Sequence, residues 1–217
     1  MSGAREVQHD LRMTSPLLPA TEALVALSAA LASRSPQALD AALRTAASQA
    51  PPDQIEETLL QSYLFLGYPI ALEAFARWRE VSGLPAPEEA PDPGPWDERG
   101  AAVCRTVYAG QYEGLRANVR RLHPDMERWM VSEGYGKVLG RSGLPLATRE
   151  LCIAALLAAL DAPRQLYAHL RGALNAGASE AEVGRALELA AQVSDTDARR
   201  RADETWTSVR ARAERHG

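Results

Sequence analysis

The stretch from Thr148 to Ser179 fixes more about the fold than any other part of this chain. It opens on a segment that is apolar nearly all round: Leu151, Ile153, Ala154, Leu156, Leu157, Ala158 and Leu160. A helix with no polar face has to be buried. Asp161-Ala162-Pro163 then turns the chain, and proline suits the first turn of a second helix. That helix runs to about Ala176 and Gly177 stops it. Glu150, Gln165 and His169 are polar insertions in this apolar frame, and candidate chemistry concentrates there.

The rest of the chain also reads as helix. Hydrophobic residues make up 46% of the 217, mostly Ala and Leu, with 6% aromatic, a composition that favours helix over strand. Residues 1–19 are polar and Pro-punctuated and read as a loose terminus. Helices are predicted over 21–33, from Pro36 to about Gln49, and from Pro51-Pro52-Asp53 to about Leu66. Gly67-Tyr68-Pro69 ends the third, and a fourth covers 70–81. Between Ser82 and Asp97 five prolines among acidic residues describe an extended linker. Helices follow over 97–109 and 111–122, then from His123-Pro124 to about 140, before Arg141-Ser142-Gly143 turns the chain. The fold class is all-α. The units are 1–81, the linker 82–97, and 98–217, which carries the candidate site.

The halves are related. Sliding the first by 127 residues puts Thr21 on Thr148, Leu24 on Leu151, Pro36 on Pro163, Leu39 on Leu166 and Leu43-Arg44 on Leu170-Arg171. One added residue brings Ile55 onto Val183. This reads as a degenerate tandem repeat. Glu150 falls on Ala23 and His169 on Ala42, so the first copy keeps the apolar frame without the ionisable groups. One copy is expected to hold the reactive edge and the other a scaffolding or wall role.

Several function classes are excluded or disfavoured. A net charge of −4 argues against a broad nucleic-acid footprint, and Arg199-Arg200-Arg201 reads as a solvated helix face. No apolar leader and no run of 18 apolar residues occurs, so a cytoplasmic protein without a membrane partner is expected. His9, His123 and His216 are isolated, so no metal site is expected. The two cysteines, Cys104 and Cys152, are too few and too far apart for a disulfide scaffold. Cys152, inside an apolar helix, reads as a small inert hydrophobe.

On the second helix Leu166, Leu170, Ala173 and Leu174 form one stripe, and His169 lies about 80° from its centre, on the margin between core and surface. Gly172 beside it permits close approach of another chain or a ligand. One reading of His169 is an imidazole satisfied by a backbone carbonyl; the other is a proton carrier in a pocket wall. Glu150 is either a first-turn residue facing the helix dipole or a carboxylate in an apolar setting, available for proton transfer. Glu150 is 12 residues before Ala162, roughly 18 Å of helix, and His169 seven beyond it, roughly 10 Å. Straight antiparallel rods leave the two offset by about 8 Å.

Arg149-Glu150-Leu151, the Ala/Leu helix, Gln165-Leu166, His169-Leu170-Arg171-Gly172-Ala173-Leu174 and Gly177 resemble the carboxymuconolactone decarboxylase family, which shares a fold with alkylhydroperoxidase D-like proteins. Glu133 to Leu144 fits as well, and so does Phe65-Leu66-Gly67-Tyr68-Pro69. The resemblance covers about 124–187 and, in part, 20–76. In the alkylhydroperoxidase D-like branch a glutamate, a Cys-x-x-Cys and a histidine carry disulfide chemistry. Here Glu150 and His169 match, whereas the cysteine places fall on Ala162 and Gln165, so peroxidase activity is disfavoured.

The pattern resembles the decarboxylase branch, which acts without a cofactor on a carboxylated unsaturated lactone. That resemblance implies a carboxy-lyase-like activity with His169 as proton donor, Glu150 as tuner or relay, and Arg141 or Arg149 clamping the substrate carboxylate. Gln165 and Tyr135 complete the candidate binding set, while Trp129 and Met130, with Tyr135 in the helix before the site, read as core. The competing reading is a non-catalytic protein that keeps the fold for oligomerisation or small-ligand binding. The family forms three-fold rings, which implies a homotrimer.

Overall fold

The computed structural model describes residues 15–88 and 94–214. The expectations for residues 1–14, for His9 and His216, and for 89–93 of the Pro-rich segment lie outside the described residues. No strand occurs among those described. In chain order the helices are α1 (Pro19–Ser33), α2 (Pro36–Gln49), α3 (Pro52–Ser82), α4 (Trp96–Tyr108), α5 (Tyr112–Leu122) and α6 (Pro124–Trp129). A π-helical segment (Met130–Leu139) leads to α7 (Leu146–Ala159), α8 (Pro163–Asn175), α9 (Glu180–Ala191) and α10 (Thr196–Glu214).

Local chemistry sets most of these boundaries. Proline occupies the first turn of α1, α2, α3, α6 and α8, where its missing N–H is not needed. The Ser35 hydroxyl accepts from the Ala38 amide at 3.2 Å, and Ser179 with Glu182 closes a capping box on α9. The turn between α7 and α8 passes through Asp161 at φ 59, and Gly177 at φ 101 ends the hairpin.

α1 and α7 are the two centre pieces. Leu24, Val25 and Leu27 of α1 and Ile153, Ala154 and Ala155 of α7 are fully buried. The two helices pack on each other; α2 and α3 lean on α1, and α8 and α9 on α7. One apolar cluster runs through both halves. α1 and α7 start 127 residues apart, at Pro19 and Leu146, as do α2 and α8, at Pro36 and Pro163. The stretch from α4 to the π-helical segment has no counterpart among the described residues before α1.

One element keeps a predicted break inside its bounds, and another departs from the sequence reading. α3 holds the third and fourth predicted helices as two helical pieces, and the break expected at Gly67-Tyr68-Pro69 is present: Gly67 is non-helical, with φ 78 and ψ 168, a conformation that only glycine adopts cheaply. Pro69 follows within the bend. By length and composition α3 alone among the described helices is apolar enough to cross a membrane, yet it buries Glu57 and Gln61 and packs on α1 and α2. The helix predicted from Pro124 to about 140 changes at Met130 into ten π-helical residues. The wider turn accommodates a tight crossing with α4: a Cβ at Gly100 would overlap the Val131 carbonyl, and one at Gly136 the Trp96 carbonyl. The Arg99 Nε donates to the Gly136 carbonyl at 2.6 Å. Trp129, read as core, is 51% exposed because α6 lies on the outside of this crossing.

Candidate active site in the α7–α8 hairpin

Two adjacent residues at the start of α7 organise two separate polar centres. Arg149 and Glu150 are both fully buried. Successive residues on a helix diverge by about 100°, so one turns toward α3 and the other toward α8.

Glu150 meets His169. The imidazole Nδ1 lies 2.8 Å from Glu150 Oε2, and the side chains are 8% and 0% exposed. Spacing along straight rods had left them about 8 Å apart; the hairpin closes that gap. α7 ends at Ala159, before the turn, so nine residues separate Glu150 from the end of its helix, and six separate His169 from the start of α8. The offset is then about 4.5 Å, which two side chains span. Gly172, one turn along α8, makes room: a Cβ there would stand 2.5 Å from Glu150 Oε2 and 2.7 Å from Val107 Cγ1. The group that approaches this glycine is thus the site's own carboxylate. Glu150 Oε1 is buried without a hydrogen-bond partner.

His169 is 6% exposed, nearer the core than the helical stripe implied. Its ring faces Phe65 edge-on, with centroids 5.7 Å apart and planes at 83°. Phe65 comes from α3, just before the bend. The first half of the chain therefore supplies a wall of the site whose ionisable groups come from the second. The Phe65-Leu66-Gly67-Tyr68-Pro69 motif was the sequence signal for this residue, although its partner was not evident.

Tyr135, expected to bind substrate, is buried and hydrogen-bonded through its hydroxyl to that of Tyr108 at 2.9 Å. The two rings meet edge to face, 5.8 Å apart. Burial pushes both phenols well above the ordinary tyrosine range, and the nearby Glu150 charge adds to the effect. They are neutral hydroxyls beside the Glu150–His169 pair. Gln165 is exposed on the outer face of α8.

Arg141 and Arg149 converge on a different partner. Arg149 Nη2 lies 2.7 Å from Glu57 Oε2 and 3.0 Å from the Arg141 carbonyl, and its Nη1 lies 3.4 Å from Gln61 Oε1. Arg141 Nε reaches Glu57 Oε1 at 2.8 Å. Both guanidinium groups are thus engaged with an α3 carboxylate. Sequence reasoning missed Glu57 and Gln61, since nothing local ties α3 to a residue some 90 positions away.

Both cysteines are free and buried, and burial pushes each thiol up to about 12. Among the described residues no group of three or more His, Cys, Asp or Glu side chains is placed to hold a metal ion.

The fold and this site define an all-helical protein with a buried glutamate–histidine pair at the heart of a two-helix hairpin. Residues 124–207, which hold the whole hairpin, match the model of the carboxymuconolactone decarboxylase family. It is also 27% identical over 147 residues to Peroxisomal protein 2 of Schizosaccharomyces pombe, an alignment covering 65% of this chain and 68% of that protein.

Proposed function

We propose that the chain is a cofactor-independent enzyme of acid–base type, acting on a small carboxylated or lactone substrate at His169. The observation that carries this reading is the 2.8 Å contact between His169 Nδ1 and Glu150 Oε2 inside an apolar hairpin. A carboxylate accepting from Nδ1–H sets the tautomer and leaves Nε2 to exchange a proton with a substrate. In a decarboxylation the carbon–carboxylate bond breaks, carbon dioxide departs, and the electron pair stays on the substrate as an enolate-type anion. Protonated His169 would deliver the proton that quenches this anion at carbon. Phe65 packs edge-on against the imidazole and adds an apolar wall beside it. Thiol-based peroxide chemistry fits poorly, because both sulfurs are buried and hold their protons at neutral pH.

The substrate clamp has to be revised within this reading. Arg141 and Arg149 are engaged with Glu57. Arg141, half-exposed, is the one of the two that a substrate carboxylate can reach.

A second reading has its own support. Cavities of about 570–660 Å³ line the surface along α4–α6, α8 and α10, and neither Glu150 nor His169 lines any of these four. A protein that keeps the fold for assembly or ligand binding would look like this. Around the α3 bend, Tyr68 and Leu72 are 62% and 64% exposed beside partly buried Leu64 and Leu66. We propose that this surface supports self-association, with a homotrimer as the expected state, and that the tandem halves descend from one repeat. We also propose a cytoplasmic location; the name of the yeast relative makes a peroxisomal one the alternative, decided by imaging a tagged chain.

Imidazole NMR of His169, with and without candidate unsaturated lactones, tests the enzymatic reading. A ligand-dependent shift at Nε2 supports it. A ring that responds to no such compound favours the second reading.

A further inference from the structure

We propose that the groove between α4, α5 and α6 binds a small organic carboxylate, an anion with an apolar body. This site is separate from the α7–α8 hairpin and does not depend on the activity proposed there. The groove has a volume of about 610 Å³, within the range of small-ligand pockets. Four guanidinium groups line it, from Arg105, Arg116, Arg120 and Arg128, against the carboxylates of Asp97, Asp125 and Glu127.

The pairing inside the groove leaves Arg105 without a carboxylate. Arg116 Nε lies 2.5 Å from Glu127 Oε1 and Arg120 Nη2 2.7 Å from Glu127 Oε2, so two arginines share one carboxylate. Arg128 Nη2 holds Asp125 at 2.8 Å. Arg105 pairs with no carboxylate among the described residues. Its guanidinium sits over the Tyr112 ring, 4.8 Å from the centroid, while Arg116 lies 5.4 Å from the same centroid. The ring orients the Arg105 fork in advance, which reduces the entropy lost when it closes on a ligand.

Asp97 is the carboxylate that works against an anion. It sits in the first turn of α4, eight residues before Arg105, so about 12 Å of helix separates the two. The groove is therefore polarised, with Arg105, Arg116 and Arg120 at one end and Asp97 at the other. Ala101 and Val131 lie on its wall between. A single unpaired fork matches a monocarboxylate, which it can bind bidentately, and the apolar wall suits a hydrocarbon body. A polyphosphate would need more free cations than this.

The test is an amide NMR titration of the full chain with benzoate, benzamide and inorganic phosphate. The expected result is saturable shifts at Ala101, Arg105 and Val131 with benzoate, none with benzamide, and affinity for phosphate at least about tenfold weaker. Arg105→Gln should weaken benzoate by about tenfold or more, while His169→Ala leaves its affinity unchanged. The exposed position of Arg105 lets the variant fold, and its amide spectrum verifies that. Absence of benzoate shifts in this groove, equal affinity for benzamide or phosphate, or undiminished binding by Arg105→Gln would overturn the proposal.

Discussion

Glu57, on α3, stands 2.7 Å from the fully buried guanidinium of Arg149, on α7. It also holds Arg141 at 2.8 Å. One carboxylate from the first half of the chain is thus shared by two cations of the second. Removing it leaves Arg149 buried with its charge exposed to apolar surroundings. Glu57→Ala should cost about 3–5 kcal/mol of stability, read as a lower midpoint in chemical denaturation with the slope unchanged. A loss below about 1 kcal/mol, the scale of a surface pair, would show that the cluster is not the buried tie between halves described above.

Gly172 tests the packing around the site carboxylate. A methyl there would stand 2.5 Å from Glu150 Oε2 and 2.7 Å from Val107 Cγ1, so both must move. Gly172→Ala should destabilise by about 1–3 kcal/mol and detach Glu150 from His169. The imidazole NMR spectrum should change in the variant even without ligand. An unchanged spectrum would mean that the carboxylate has another place to go.

The cysteines should be silent. Burial pushes Cys104 and Cys152 up to about 12, and neither is exposed. A thiol reagent added to native protein at neutral pH should label neither on the timescale of minutes, and both after denaturation. Rapid labelling of either in the folded state would reopen sulfur chemistry.

Much of this was legible in the sequence, and the misses share a cause. Prolines at 36, 52, 124 and 163 and the glycine at 177 mark helix ends because backbone chemistry is local. The apolar circumference of α7 announced its burial for the same reason. The break at Gly67 was legible on the same ground, since a glycine and a proline two apart interrupt a helix locally. The π-helical segment carried no periodic signal; its cause is the crossing with α4, a tertiary event. At the site, residue types picked out Glu150 and His169, but counting to the turn rather than to the helix ends obscured their contact. The roles assigned to Arg141 and Arg149 took no account of Glu57, whose proximity only the fold creates.

Acid should weaken the fold in a defined way. Hydrogen bonds from Arg120 and then Arg116 hold the Glu127 carboxyl below the usual glutamate range. A depressed carboxyl contributes stability that is complete above the ordinary range and lost as pH falls through the lowered value. Glu22, beside Arg185, and Asp161, beside Arg201, are lowered as well and act in the same direction. Thermal midpoints taken from about pH 7 down to about pH 3 should fall, and Glu127→Gln should show a shallower decline. An equal slope in the variant would remove Glu127 from the account.

Proton exchange on an enolisable lactone carboxylate, followed by deuterium incorporation, tests the His169–Glu150 pair most directly. Wild-type protein should catalyse exchange, with His169→Ala slower by about 100-fold or more and Glu150→Gln also impaired. Equal rates in wild type and His169→Ala, or no exchange by wild type across such substrates, would contradict a proton-transfer role for the pair.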